Sequence, residues 1–213
     1  MLTIHAADAV LGAPEGADSV AVDGGSVVAV GPYADVTAAF PRARVRRWSG
    51  LITPGLVNPW ATALLETAYH PDPREADELG TEPLTGDAVA ALAPDDARWG
   101  ASARRGLQRM LRHGTTAVAG EFTRPSVRLA VSRSGLRVRR PAAAGADRPP
   151  RLDPLAGVRD PAELRAHTGR PPAVGDPADL AVFGVRDAGE LAGTGAASCV
   201  ATVLGGRLVF RAS

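Results

Sequence analysis

Apolar and polar positions alternate at both ends of this chain and fall at helical spacing in its middle. Leu2 and Ile4 alternate with Thr3 and His5, the period of a half-buried strand. Val20-Ala21-Val22 and Val27-Val28-Ala29-Val30 flank Asp23-Gly24-Gly25-Ser26, where glycine supplies positive φ at little cost, so a β-hairpin is predicted. Asp35 to Phe40 reads as a short helix, and Val45 to Trp48 as a strand ending at Ser49-Gly50. The far end has the same texture. Asp179 to Phe183 is a strand after the turn Gly175-Asp176-Pro177, and Val200–Leu204 and Arg207–Phe210 flank Gly205-Gly206 as a second hairpin. Neither terminal group could bury a sheet face alone. They are expected to join as one composite β-sandwich.

Between the two ends the period changes. Leu56-Val57 follows Thr53-Pro54-Gly55 as a short strand. Trp99, Ala103, Leu107, Met110 and Leu111 recur at helical spacing between Asp95 and His113. Asp95 and Asp96 suit the positive end of that helix, and Gly114 suits its cap. Arg104, Arg105, Arg109 and Arg112 are expected on its outer face. Thr115 to Ala119 is a strand, and Pro125 opens a helix ending near Gly135. This β-α-β-α run implies a parallel α/β element. From Arg139 to Pro172 the pattern fades into Pro, Ala, Arg and Gly, read as linker with one helical piece from Asp160 to Thr168.

Composition adds a few bounds. A chain of 213 residues makes one large or two small domains. Aromatics are only 4%, so the core must rest on Ala, Val and Leu. There are 24 Arg and no Lys, yet the net charge is only +1, which predicts no nucleic-acid partner. A single Cys199 cannot close an internal disulfide and fits a reducing compartment. No apolar run reaches the length of a membrane span, and Met1-Leu2-Thr3-Ile4-His5 lacks the pattern of a signal peptide. A cytoplasmic protein without membrane contact is expected. No GxGxxG or Walker motif is present, and Gly24-Gly25 and Gly205-Gly206 belong to hairpins.

Four segments resemble a known family in the same order. Ser49-Gly50-Leu51-Ile52-Thr53-Pro54-Gly55-Leu56-Val57-Asn58 is similar to the passage of an amidohydrolase chain into its barrel. His113-Gly114-Thr115-Thr116-Ala117-Val118 resembles the second barrel strand. Gly175 to Phe183 resembles the return to the outer β-domain, and Thr202 to Phe210 its last hairpin. The resemblance is to the amidohydrolase superfamily, in its imidazolonepropionase and aminodeoxyfutalosine deaminase branch. It implies a β-domain built from both termini with a metal-bearing barrel inserted between, and hydrolysis of non-peptide C–N bonds. The expected fold is therefore α/β plus β. Its composite β-domain comprises 1–53 and 173–213, its truncated α/β segment 54–138, and its linker 139–172.

Two departures shape the functional expectation. Family enzymes carry His-x-His after the first barrel strand, where alternate side chains share a face and hold a divalent ion that activates water. Here that stretch reads Asn58-Pro59-Trp60-Ala61-Thr62, with Trp60 and Thr62 at the imidazole positions. Indole nitrogen only donates and cannot ligate. Roughly 124 positions separate Gly55 from Asp179, whereas an eight-stranded barrel takes about 250 residues.

The remaining candidates are isolated. His5, His70, His113 and His167 show no ligand spacing. His113, at a helix C-terminus, is expected to stabilise exposed carbonyls as a partly charged imidazole. Glu66 and His70 are four apart and would share a face if the helix persisted, although Pro71 and Pro73 argue that it stops. Glu121 follows the second strand, at the end where α/β sites lie, with a capping or salt-bridging role as the plainer reading. Cys199 reads as a buried inert thiol, and Arg137-Val138-Arg139-Arg140 as a solvated linker. No residue is assigned to catalysis, to a cofactor or to a metal. The expectation is a catalytically degenerate relative acting through binding or assembly, as a homodimer or with a partner hydrolase subunit. The alternative is a hydrolase of non-peptide C–N bonds, such as a cyclic amidine hydrolase or aminopurine deaminase. Its site would be rebuilt from Glu66, His70 and Glu121 or shared with a partner.

Overall fold

The computed structural model describes residues 1–141 and 149–212. Its strands are β1 (Thr3–Ala6), β2 (Ala9–Val10), β3 (Ser19–Asp23), β4 (Ser26–Gly31), β5 (Arg44–Arg47), β6 (Leu51–Pro54), β7 (Leu56–Asn58), β8 (Thr115–Ala119), β9 (Arg137–Arg139), β10 (Leu180–Phe183), β11 (Cys199–Leu204) and β12 (Arg207–Arg211). Its helices are α1 (Tyr33–Ala39), α2 (Ala61–Glu66), α3 (Ala76–Leu79), α4 (Asp87–Leu92), α5 (Asp96–Leu111), α6 (Pro125–Ser134), α7 (Leu164–Thr168) and α8 (Ala188–Thr194). The fold is thus mixed α/β. The chain divides into two compact units, Met1–Val57 with Leu111–Thr116 and Asp153–Ser213, and Asn58–Met110 with Ala117–Leu152. Among the described residues no helix is long and apolar enough to cross a membrane.

The first unit holds two sheets. One runs β4-β3-β1-β5, with β1 antiparallel to β3 and parallel to β5. The other runs β12-β11-β10-β6-β2, so strands from both ends of the chain are hydrogen-bonded in one sheet. The junction is β10 against β6, antiparallel, pairing Val182 with Ile52 and Phe183 with Leu51. The strand period explains the core. Val20, Val22 and Val27 of the first sheet share a buried cluster with Ile52, Leu180, Val182, Ala201 and Val203 of the second. Each valine, leucine or isoleucine of this cluster stabilises the fold by about 1.5–3 kcal/mol on burial. The opposite face of the first sheet is covered by α1, where Ile4 and Ala21 pack on Val36.

A second cluster joins Leu51, Leu56, Phe183 and Cys199 to Leu155, Val158, Leu164 and Leu191. Leu155, Val158 and Leu164 lie in the stretch expected to be linker, yet their exposures are 1%, 1% and 0%. Three apolar side chains spaced through a Pro- and Arg-rich background are too few to set a period, so the sequence pattern concealed them. The helical piece expected there forms as a 3-10 turn, Pro161–Glu163, leading into α7. Residues 142–148 of that stretch lie outside the described residues. Gly114 has φ +72, and a Cβ there would stand 2.8 Å from the Ala181 Cβ, so the turn after α5 takes glycine on both counts.

In the second unit α5 buries Trp99, Ala103, Leu107 and Met110, the expected stripe. Asp95 caps it, accepting the Arg98 N–H at 2.8 Å. The helix arginines do not all face outward as expected. Arg105 donates from Nε to the His70 carbonyl at 2.8 Å and pairs with Asp72 at 3.2 Å, and Arg109 donates to the Thr81 carbonyl. Arg98 pairs with Glu75 at 2.7 Å and lies over the Tyr69 ring, whose hydroxyl donates to the same carboxylate. β8 leads through α6 into β9, which pairs parallel with β8 from Ala117–Arg137 to Ala119–Arg139. Arg137 to Arg139, read as solvated linker, are therefore a strand. All three residues are exposed, so the segment has no apolar face to announce it.

Candidate functional site

The C-terminal ends of β7 and β8 lie where α/β proteins place their chemistry. Asn58 closes β7 and is fully buried. Its Nδ2 donates to the carbonyls of Arg151 and Leu152, both at 3.1 Å, and its Oδ1 accepts the Trp60 N–H at 2.9 Å. Both ends of the amide are thus engaged by backbone. Trp60 is 8% exposed and stands where the resemblance would place an imidazole. Thr62, at the second such position, donates from Oγ1 to the Glu121 carbonyl at 3.2 Å. A Cβ on Gly120 would lie 2.1 Å from that hydroxyl, so the strand end and the helix start are in close contact.

Glu66 and His70 do not form a pair. α2 ends at Glu66, and the chain turns before Pro71, as the prolines argued. The Glu66 carboxylate instead takes the Thr123 N–H at 2.6 Å, the Arg124 N–H at 2.7 Å and the Thr123 hydroxyl at 2.9 Å. Arg124 is the N-cap residue of α6 and Pro125 its first residue, so Glu66 supplies from a distance the acceptor that Arg124 lacks. The capping role read for Glu121 falls to Glu66, while Glu121 is exposed. Sequence spacing could not show this, because the partners are 57 and 58 residues apart.

His70 is fully buried. Its Nε2 donates to the Leu64 carbonyl at 2.9 Å, and its backbone N–H donates to Ser102 Oγ at 2.8 Å. Its Nδ1 has no hydrogen-bond partner among the described residues. Burial pushes its pKa down to about 4, the Leu64 bond opposes this in part, and Arg109 and Arg105 lower it further. The ring is neutral and bridges α2 to α5.

The other candidates are dispersed. His5 lies in β1, accepts the Trp48 indole N–H at 3.3 Å, and is pushed by burial and by Arg46 to about 4. Burial also lowers the pKa of His113, with Asp153 opposing, which disfavours the partly charged imidazole expected at the end of α5. His167 sits in α7. The Cys199 thiol is buried and raised to about 11, which leaves it protonated and inert.

The family metal implied by the resemblance does not fit this donor set. Trp60 offers no lone pair, both ends of the Asn58 amide are engaged, the Thr62 hydroxyl is turned to the Glu121 carbonyl, and Glu66 already accepts three donors. Among the described residues no group of three or more His, Cys, Asp or Glu is placed to hold a metal ion.

One family match falls in the first unit. Residues 20–43, the hairpin of β3 and β4 with α1, match the family model described as the imidazolonepropionase-like composite domain of bacteria. No curated protein matches the chain. Among solved structures, ochratoxinase of A. niger aligns at 19% identity and a TM-score of 0.43, covering 65% of this chain and 31% of its own. A zinc-bound adenosine deaminase of Xanthomonas campestris aligns at 22% and 0.41, covering 64% and 32%. The N-isopropylammelide isopropylaminohydrolase of Burkholderia multivorans aligns at 16% and 0.42, covering 80% and 43%. The chain spans about a third of the first two of these proteins. The amidohydrolase resemblance read from the sequence thus coincides with a match of β3, β4 and α1 to the imidazolonepropionase-like composite domain.

Proposed function

We propose that this chain is a catalytically degenerate protein of the imidazolonepropionase-like amidohydrolase lineage, acting through binding or assembly around a composite β-sandwich. One observation carries the reading. At the C-terminal ends of β7 and β8 the polar groups of Asn58, Thr62 and Glu66 are bonded to backbone partners, and among the described residues no three His, Cys, Asp or Glu gather to hold a metal ion. Water activation needs a lone pair or a metal site aimed into open space. Glu66 holds two amides on Oε1 and the Thr123 hydroxyl on Oε2, an arrangement that suits a structural cap better than a base. The lone buried Cys199 suits a reducing, cytoplasmic setting.

Assembly would take the form of a homodimer or a complex with a hydrolase subunit. The match to an imidazolonepropionase-like domain keeps a second reading in view, a C–N hydrolase whose ligands come from a partner. Elemental analysis and light scattering on the purified chain separate the two. Degeneracy predicts no stoichiometric divalent metal and no turnover of cyclic amidines or aminopurines, with zinc or manganese added or not. Stoichiometric metal whose retention depends on His70 or Glu66 would overturn it. A strictly monomeric chain that captures no second subunit would remove the assembly role.

A further inference from the structure

Arg44, Arg46 and Arg211 of the first unit form a cluster with no carboxylate within ion-pair distance among the described residues. β5 is an edge strand paired with β1, in the register Thr3–Arg44 and His5–Arg46. Directly paired residues share a face. Thr3 and His5 pair in turn with Val22 and Val20, which point into the buried layer of the unit. Arg44 and Arg46 therefore stand on that same inward face at its open margin, with Cα atoms about 6.5 Å apart along the strand. Trp48 continues the alternation and donates its indole N–H to His5. Arg211, at the end of β12, lies over the Trp48 ring, 5.8 Å from its centroid. Arg211 and Arg46 thus meet at the Trp48–His5 pair, with Arg44 next along the same face.

Among the described residues no carboxylate lies within ion-pair distance of any of the three. The Nε of Arg46 is enclosed and lacks a hydrogen-bond acceptor. A buried donor without an acceptor costs about 1–3 kcal/mol, a cost that an oxyanion accepting from it would remove. Burial, together with Arg44 and Arg211, also holds the Arg46 pKa below its ordinary value, so like charges press on one another here. Arginine on an edge strand is a common guard against edge-to-edge pairing. That purpose is served by outward charge and does not require an enclosed Nε.

We infer that Arg44, Arg46 and Arg211 form a binding site for a phosphate dianion, free or as a small monoester. Guanidinium forks match oxyanions bidentately. A lone carboxylate is satisfied by one fork, whereas three forks approaching from two strands suit a tetrahedral dianion. A nucleic-acid track would need basic residues extended along a surface, and this cluster is compact.

The test is calorimetric titration of the full chain at fixed ionic strength in sodium chloride, with inorganic phosphate, glycerol phosphate and succinate as separate probes. The expected result is saturable binding of one phosphate per chain, at least ten-fold tighter than succinate. Tighter binding of glycerol phosphate than of phosphate would assign the site to an ester, and the reverse to the free ion. Arg46→Gln and, because its side chain is exposed, Arg44→Gln should each weaken phosphate at least ten-fold, while the control Arg186→Gln leaves it unchanged. Circular dichroism confirms that the variants fold, and without phosphate their melting temperatures should be equal to or above that of the parent. No saturable binding, equal affinity for succinate, or unchanged affinity in folded Arg44→Gln would overturn the assignment.

Discussion

Glu66 offers the sharpest separation of a structural carboxylate from a catalytic one. Its Oε1 accepts two backbone N–H groups, at 2.6 and 2.7 Å, and its Oε2 accepts the Thr123 hydroxyl. In Glu66→Ala all three bonds vanish and α6 loses its cap. Hydrogen bonds to a charged group contribute about 1.5–3 kcal/mol each, and loss of a helix cap costs about 0.5–2 kcal/mol. Thr123 and Arg124 are exposed residues, so water replaces part of the loss. The terms also overlap, which brings the expected destabilisation to about 2–4 kcal/mol. Glu66→Gln keeps a carbonyl oxygen for the two amides and an NH2 that can donate to the threonine hydroxyl, so only the charge is lost, about 1 kcal/mol. Urea unfolding followed by circular dichroism measures both, and hydrogen exchange at Thr123 and Arg124 locates the change. The reasoning is refuted if Glu66→Ala falls within about 0.5 kcal/mol of the parent, inside the range of ordinary surface substitutions. It is refuted equally if Glu66→Gln costs as much as Glu66→Ala.

Three further outcomes are expected. His5 and His70 both have folded pKa values near 4 against an ordinary 6.5, so the unfolded chain binds more protons between those values. Their contribution is complete above pH 6.5 and declines as pH falls toward 4, by at most about 1.4 kcal/mol per pH unit per group. Denaturation at a series of pH values should show His70→Gln losing less stability than the parent between pH 6.5 and 4.5, and equal slopes would count against the buried neutral ring. The thiol of Cys199, raised to about 11 and buried, should resist a disulfide reagent at pH 8 in the folded chain and react fully in denaturant; rapid labelling of native protein would contradict its placement. Gly106→Ala should destabilise by about 1–3 kcal/mol despite the better helix propensity of alanine, because the new Cβ would stand 2.7 Å from His70 Nε2 and 2.8 Å from Leu65 Cδ2. A rise in melting temperature in that variant would mean that α5 and His70 are not in close contact.

What the sequence disclosed divides along physical lines. Elements with a repeated period and a turn residue at each end were legible, such as β3 and β4 around Asp23-Gly24-Gly25, β11 and β12 around Gly205-Gly206, and α5 between Asp95 and Gly114. β6 was overlooked as a strand although Leu51-Ile52-Thr53 lies between Gly50 and Pro54-Gly55. A run buried on both faces has no alternation to display. β9 was hidden for the opposite reason, since none of its residues is buried. At the candidate site, Trp60 and Thr62 at the positions where the resemblance implies imidazoles could be read directly. The destination of the Glu66 carboxylate could not, because it depends on a contact across more than fifty positions that no local pattern encodes.

Catalytic and structural demands on a polar side chain oppose each other, and that opposition bears on the proposed reading of this site. A general base or a metal ligand keeps a lone pair in reserve for a proton or an ion, and the surrounding fold bears the cost of leaving it under-satisfied. Asn58, Thr62 and Glu66 instead aim their hydrogen-bonding groups at what would otherwise be bare backbone: the carbonyls of Arg151, Leu152 and Glu121 accept from Asn58 and Thr62, and the amides of Trp60, Thr123 and Arg124 donate to Asn58 and Glu66. Placing histidines at positions 60 and 62 would therefore not rebuild a metal site. The Thr62 hydroxyl would be lost from the Glu121 carbonyl, and a bulkier ring would meet Gly120, where the Thr62 side chain already leaves no room for a Cβ. Two imidazoles would also remain short of the three or four ligands that hold a divalent ion. A metal site here would take ligands from elsewhere and a new set of partners for every backbone group now satisfied by these three residues.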